Sequence, residues 1–374
     1  MLAMLPNPHI FFADLPDPRR ETRNKLHKLA DIVMITLCAV LGGYEDWVSI
    51  EDFGYANEEW LRGFLELPNG IPSHDTLSDV IGRIDRDAFA LAFTAWVQAG
   101  LPELAGHQVA VDGKSLRGSR GADGTVHMIS AFATQARLVL AAQAIPDKAN
   151  EITAIPGLLA QLNLAGAVVT IDAMGCQREI ARVIVDQKAD YVLALKENHP
   201  TLHDDIKLWL DDSDAQGHVR MHETVEKDHG RIETRRTVVS TDLDWLAQKP
   251  DWPGLQAVAM VESTREMAGK ISCERRYYLC SLRDVTRIAL TIRNHWAIEN
   301  QQHWILDVQF GEDAHRTRKD HSAANLGLIR RAALNLLQQD ASNKWSIRRR
   351  KMRSLVDVTY REALLFRKGE AKST

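Results

Sequence analysis

Three textures of hydrophobic spacing divide the chain. Up to about residue 100, apolar residues recur every three or four positions, the period of helices with one buried face. Leu26 to Leu41 is such a run, and Gly42-Gly43 stops it, because glycine past a helix end lets the chain turn. Ser49 to Leu65 and Ser73 to Ala99 continue the pattern, with Ser73 and Asp75 as capping side chains. Residues 1–100 are therefore expected to form a helical N-terminal domain.

After Pro102 the spacing changes. Gln108 to Asp112 is a short apolar strand ending in an acid, and Gly113 is expected to turn the chain. His127 to Thr134 and Leu138 to Ala144 predict two more strands joined by Gln135-Ala136-Arg137. Asn150 to Leu162 predicts a helix, Ala167 to Asp172 a buried strand ending in an acid, and Gln177 to Lys188 an amphipathic helix. Asp190 to Leu195 is a fifth strand, with Lys196 at its end. Three consecutive strands suit an antiparallel meander, and strand–helix–strand suits parallel pairing. The expected fold is α/β: a mixed five-stranded sheet with flanking helices. Residues 201–281 break this rhythm, with strand-like runs at Thr237 to Ser240, Gln256 to Glu262 and Arg276 to Leu282. They predict a β-rich insertion that divides the core into 101–200 and 282–340. Helical spacing returns from Asp284 to Val308 and from Ala323 to Gln338, and residues 341–374 form a tail.

Composition narrows the class. The 374 residues are 45% hydrophobic and 26% charged, an ordinary globular balance. The four cysteines are scattered with no CxxC pair, which argues against a disulfide framework or zinc knuckle and fits a reducing cytoplasm. The most apolar run, Leu29 to Gly43, contains Asp31 and falls short of the roughly 20 residues needed to span a bilayer. No basic leader precedes an apolar stretch at the N-terminus, so neither a signal peptide nor a membrane partner is expected. The net charge of −4 and pI of about 6.4 argue mildly against a nucleic-acid partner, since phosphates are neutralised by Lys and Arg. The charge is polarised, however: residues 343–374 carry ten Lys and Arg, including Arg348, Arg349 and Arg350, against three acids. Such a tail is a candidate nucleic-acid arm; a solvated terminal helix is the competing reading.

Three acids stand out. Asp112 and Asp172 end the first and fourth strands, 60 residues apart. If those strands are neighbours, both carboxylates lie at the sheet edge where α/β folds bind ligands. Along one expected helix, Ile288, Ile292, Trp296, Glu299, His303 and Leu306 form one stripe, so Glu299 is expected on a buried face. There an ionised carboxylate needs a partner or a cation. Two aspartates and a glutamate without a thiolate favour a hard ion, Mg²⁺ or Mn²⁺. Two such ions about 4 Å apart would serve displacement at phosphorus. Taken one at a time, strand-end aspartates are common loop caps and a helix glutamate is usually solvated.

The order of elements resembles the ribonuclease-H-like fold of DDE transposases and integrases, with acids on the first strand, after the fourth, and on a later helix. The strings VDGKSLRGS (Val111 to Ser119), TIDAMGCQ (Thr170 to Gln177), YVLALKENH (Tyr191 to His199), HGRIETR (His229 to Arg235) and RNHWAIENQQHWILDVQFGED (Arg293 to Asp313) look like the ISAs group of insertion-sequence transposases, which includes the H-repeat-associated proteins. FFADLPDPRR (Phe11 to Arg20) and IPSHDTLSDV (Ile71 to Val80) fit the same group. The resemblance covers about residues 10 to 340. It implies Asp112, Asp172 and Glu299 as catalytic, metal-holding acids that cut the element's ends and transfer the released 3′-hydroxyl into target DNA. It also implies terminal inverted repeats and target DNA as partners, a homodimer in the synaptic complex, and a bacterial cytoplasmic protein that is nucleoid-associated when bound to DNA. The wider family has Tyr seven residues before the glutamate, Arg four before and Lys seven after; here those places hold Ile292, His295 and Leu306.

Lys114, Arg117, Lys196, Arg293 and His295 are the expected phosphate contacts, together with Arg348 to Arg350, and ordinary surface charge is the alternative for each. The N-terminal domain and the tail are the expected readers of terminal DNA. Two competing functions remain: a zinc-dependent hydrolase built on His295-x3-Glu299-x3-His303, and a DNA-binding protein that no longer transposes.

Overall fold

The structure, a computed structural model, describes residues 4–23, 25–101, 103–121, 124–145, 151–215, 219–228, 230–340 and 344–366. Among the described residues, six helices come first: α1 (Pro8–Phe12), α2 (Leu29–Gly42), α3 (Trp47–Ala56), α4 (Glu58–Leu61), α5 (His74–Arg83) and α6 (Arg86–Gly100). Next come β1 (Gln108–Ser115), β2 (His127–Ala133), β3 (Leu138–Ile145), α7 (Glu151–Ala160), β4 (Val168–Ile171), α8 (Arg178–Asp186) and β5 (Asp190–Leu195). The chain continues through α9 (Pro200–Ala215), β6 (Arg220–Asp228), β7 (Arg231–Ser240), β8 (Ala257–Met267), β9 (Lys270–Cys280) and α10 (Val285–His295). A π-helical turn (Glu299–His303) leads into α11 (Trp304–Phe310), followed by α12 (Ser322–Gln338), α13 (Ile347–Val356) and α14 (Val358–Leu365).

The chain divides into two compact units, one of residues 1–102, 113–150 and 298–374, the other of 103–112 and 151–297. This division does not follow the boundaries expected from hydrophobic spacing: the N-terminal helices share a unit with β2, β3 and the C-terminal helices.

The first unit is built around α12, which is buried from Ser322 to Leu337. A helix buried on every side must satisfy its polar groups internally. The Asn335 amide pairs with both the N–H and the C=O of Val139, each at 2.9 Å, as a strand would. Asn325 donates to the carbonyls of Ile81 and Ile84, 2.7 and 2.9 Å away, at the end of α5. Ser73 caps α5 as expected, accepting from the Thr76 N–H. The single helix expected over Ser73 to Ala99 is two, because the chain leaves helical conformation at Ile84 and Asp85 caps α6. Gly43, at φ 94°, ends α2 in the left-handed region where glycine is favoured. The basic tail is not a free arm as far as residue 366. It folds into α13 and α14, with Arg361 1% exposed and its guanidinium 4.2 Å from the Trp60 ring centre. Arg367, Lys368 and Lys372 lie outside the described residues.

In the second unit β1, β4 and β5 are parallel neighbours, in register Val111↔Ile171 and Ile171↔Leu193. The expected insertion is not separate from this sheet. β9 pairs antiparallel with β5 (Val192↔Cys280), and β8, β7 and β6 follow outward. The inner half of β9, Tyr277 to Cys280, is buried and covers the edge that β5 would otherwise leave open. The sheet thus exceeds the five strands expected. Successive strand residues face opposite sides: Tyr277 meets His203 of α9 edge-on, whereas Tyr278 belongs to the apolar cluster of Val168, Val192, Ile288 and Ile292 under α10. The fold is mixed α/β, a large mixed sheet with flanking helices. Helix α9 and edge strand β6 were not legible in the sequence; β6 (RMHETVEKD) is charged along its length.

Candidate active site

The parallel register decides where the two aspartates stand. Because Val111 and Ile171 are partners across β1 and β4, Asp112 and Asp172 are the next residues at the same end of adjoining strands. That is the carboxyl end, where open α/β sheets bind ligands. Gly113 does not turn the chain, and β1 continues to Ser115. Asp172 does leave its strand: its Oδ1 accepts from the N–H groups of Met174 and Gly175 at 3.1 and 3.3 Å. Position 175 must be glycine, since a Cβ there would stand 2.3 Å from the Ile171 side chain. The turn fixes one carboxylate oxygen of Asp172 and leaves the aspartate half-buried.

Behind these strand ends, polar side chains hold the end of α10. Thr170 Oγ1 bonds His295 Nδ1 at 2.9 Å, and Gln108 Nε2 donates to both Thr170 Oγ1 and the Thr291 carbonyl. Burial pushes the His295 imidazole down to about 4, against the opposing pull of the Asp172 charge. His295 is therefore neutral at pH 7 and hydrogen-bonded. It is not the cationic phosphate contact expected from sequence, because desolvation disfavours its charged form.

Asp172 lines an open cavity of about 920 Å³ whose other walls include Lys196, Asn198, His203, Lys207 and Tyr277. Lys196 and Lys207 are exposed. Arg275 also borders it but is tied to Glu262 and Asp211 at 2.7 and 2.9 Å. Lys207 and His203 are not singled out by the sequence, because the helix that carries them falls within the segment expected to be a β-rich insertion.

The remaining expected contacts fare differently. Lys114 is 8% exposed, its ammonium 2.6 Å from Asp307 and 2.8 Å from Asp313; it is not available to DNA. Arg117 is exposed, its guanidinium 3.4 Å from Asp313. Arg293 is paired with Glu226 at 2.8 Å. Arg348 and Arg349 are exposed, with Arg349 over the Trp345 ring. Arg350 donates to the Leu337 carbonyl at 2.7 Å and so acts inside the fold.

Glu299 requires the largest correction. The expected continuous helix breaks: α10 ends at His295, and the segment from Glu299 to His303 is π-helical. In this turn the Trp304 N–H bonds the Glu299 carbonyl, an i→i+5 link that rotates the downstream residues out of the α-helical register. Glu299 is exposed, not buried, and Gln302 is buried instead. Exposed to solvent, the Glu299 carboxylate carries no burial cost that a cation would have to offset. The α-helical spacing that the zinc-hydrolase reading requires is absent, since Glu299 to His303 is a π-helical turn.

Among the described residues, no three His, Cys, Asp or Glu side chains form a ready-made metal cluster. The donor chemistry still fits a hard divalent ion: half-exposed carboxylates at the strand ends, with the nearby Cys176 thiol kept protonated by burial.

Residues 106–336 match the family model described as Transposase DDE domain. The chain belongs to the DDE transposase family. Residues 10–97 match the model described as DDE_Tnp_1-associated. The chain is 38% identical to a putative transposase, YncI, of Escherichia coli O157:H7, over 95% of this chain and 93% of that one. It is 36% identical to the H repeat-associated putative transposase YhhI of Escherichia coli K12, over 95% and 96%. It is also 51% identical to an uncharacterized protein in the dhlA 3′ region of Xanthobacter autotrophicus, over 75% of this chain and 96% of that one. The function is DNA transposition, and the enzyme class is one that cleaves DNA, transfers strands and depends on divalent metal ions.

Proposed function

We propose that Asp112, Asp172 and Glu299 are the catalytic acids of this transposase. The observation that carries the reading is the register of β1 on β4, with Asp112 and Asp172 each following the last pair, Val111 and Ile171, of that parallel ladder. The three carboxylates would hold two divalent ions, Mg²⁺ or Mn²⁺. When bound, such ions neutralise charge at the phosphorus and favour deprotonation of the attacking hydroxyl. The chain's own part is orientation. The turn at Met174 and Gly175 fixes Asp172, and Thr170, Gln108 and neutral His295 hold the strand end to α10.

On this reading β1 to β5 form a ribonuclease-H-like core. The reaction opens the phosphodiester at each end of the element, releases a 3′-hydroxyl, and joins that hydroxyl to target DNA. Lys196, Lys207 and Arg117 meet backbone phosphates, which position DNA without reading its sequence. Residues 1–100 and the exposed Arg348 and Arg349 bind the terminal inverted repeats. A homodimer holds two ends together at the bacterial nucleoid.

The test is end cleavage in Mg²⁺ by Asp112→Asn, Asp172→Asn and Glu299→Gln, with DNA binding measured in parallel. Each variant is expected to bind and not to cut. Wild-type cleavage by any one of them removes that residue from the site. Wild-type protein that binds the ends without cutting them would favour a binding protein that no longer transposes.

A further inference from the structure

We propose that Lys114 is a positioning residue for transposition, tying the strand of the first acid to the helix that begins at the third. This rests on the three-acid reading above.

Lys114 lies two residues beyond Asp112 on β1, and Asp307 lies eight beyond Glu299, in the helix that the π turn leads into. The Lys114 ammonium reaches three carboxylates: Asp307 at 2.6 Å, Asp313 at 2.8 Å and Glu312 at 3.3 Å. Glu312 is fully buried and is held on its other side by the equally buried Arg331, 2.8 Å away. Arg331 in turn reaches Ser130 of β2 and the Gly327 carbonyl of α12. Burial alone would raise the Glu312 carboxyl, yet Arg331, Lys114 and Arg330 hold it below the usual range.

A second contact locks the same segments. The Arg117 N–H donates to Asp313 Oδ1 at 3.3 Å, and a Cβ on Gly118 would lie 2.0 Å from the His315 carbonyl oxygen. The residues just after β1 therefore press directly on the loop after α11. One ammonium among three acids is a rigid junction: its removal leaves like charges facing one another in a poorly solvated place. Groups that orient metal ligands from behind typically contribute about 10- to 100-fold to metal affinity.

The role differs from that of the catalytic acids, so its signature differs. Lys114→Met is expected to bind element-end DNA as the wild type does. Its affinity for Mn²⁺, followed by paramagnetic resonance of the metal with the full chain, is expected to fall about 10- to 100-fold. Cleavage should recover as Mn²⁺ is raised. An unchanged Mn²⁺ isotherm overturns the proposal, as does a weakened isotherm with no recovery of cleavage at saturating metal. If Lys114→Met does not fold, the double variant Lys114→Met/Asp307→Asn removes one charge of each sign, and the same readings apply to it. Failure of the underlying reading is separable: it would show as wild-type cleavage by Asp112→Asn, whatever Lys114 does.

Discussion

Two charged regions of this transposase hold similar residues in opposite states. In the first unit, Lys114 and Arg331 share Asp307, Glu312 and Asp313 in a network that is buried at its centre. In the second, Lys196 and Lys207 border a cavity with Asp172 and stand exposed. The buried charges are spoken for, and each removal leaves a neighbour without its partner. The exposed lysines face solvent and are available to a polyanion. Charge in a motif therefore says little about its role; burial and partners decide whether it stabilises the fold or meets DNA.

The sharpest way to break this contrast is Arg331→Met. It removes the nearer partner of the buried Glu312 carboxylate and leaves Lys114, 3.3 Å away, to carry that charge; losses on breaking a buried pair are about 3–5 kcal/mol. Denaturant unfolding should show a loss of that size. A loss of only a few tenths would mean that the network is solvated and the contrast false.

Next in size is Asn335→Leu, which leaves the Val139 N–H and C=O unpaired beside α12. The expected loss is about 1–3 kcal/mol for each buried group stranded. Neutral stability would show that the strand edge finds other partners.

The cavity should respond in binding, not in stability. Lys196→Ala/Lys207→Ala is expected to keep the wild-type melting temperature. The slope of log K against log salt for duplex DNA should become shallower by about 0.9 for each phosphate that the variant no longer neutralises. An unchanged slope would put the DNA elsewhere, and a melting temperature lowered as far as that of Arg331→Met would erase the distinction between the two regions.

The last effect is confined to acid. His315 is pushed down to about 4, chiefly by burial and further by Arg330. Between that value and the ordinary histidine value near 6.5, the unfolded chain binds a proton that the folded one does not. Stability from this group is present above pH 6.5 and is lost as pH falls towards 4. His315→Gln should flatten the stability profile in that window. Equal slopes for variant and wild type would mean that the imidazole is solvated.

What hydrophobic spacing could reach was the local and periodic. It located α2, β2, β3, β5, α8 and α12 to within a few residues, because each buries a face whose period is written in adjacent positions. It also singled out Asp172, which does follow its strand, and Asp112, which lies within a β1 longer than expected. The motifs alone carried the resemblance to DDE transposases. Long-range pairing was beyond it. That β9 completes the sheet beside β5 depends on hydrogen bonds between residues some 90 positions apart, such as Val192 and Cys280, which no local period records. The π turn that begins at Glu299 escaped for a related reason: a regular 3.6-residue count presumes an unbroken α-helical ladder, whereas the chain turns at Trp296 and closes an i→i+5 bond from Glu299, with Glu299 exposed and Gln302 buried. Lys114 and Lys196 looked alike as basic residues near strand ends. Only the tertiary structure separated them, by surrounding one with three carboxylates and leaving the other in water.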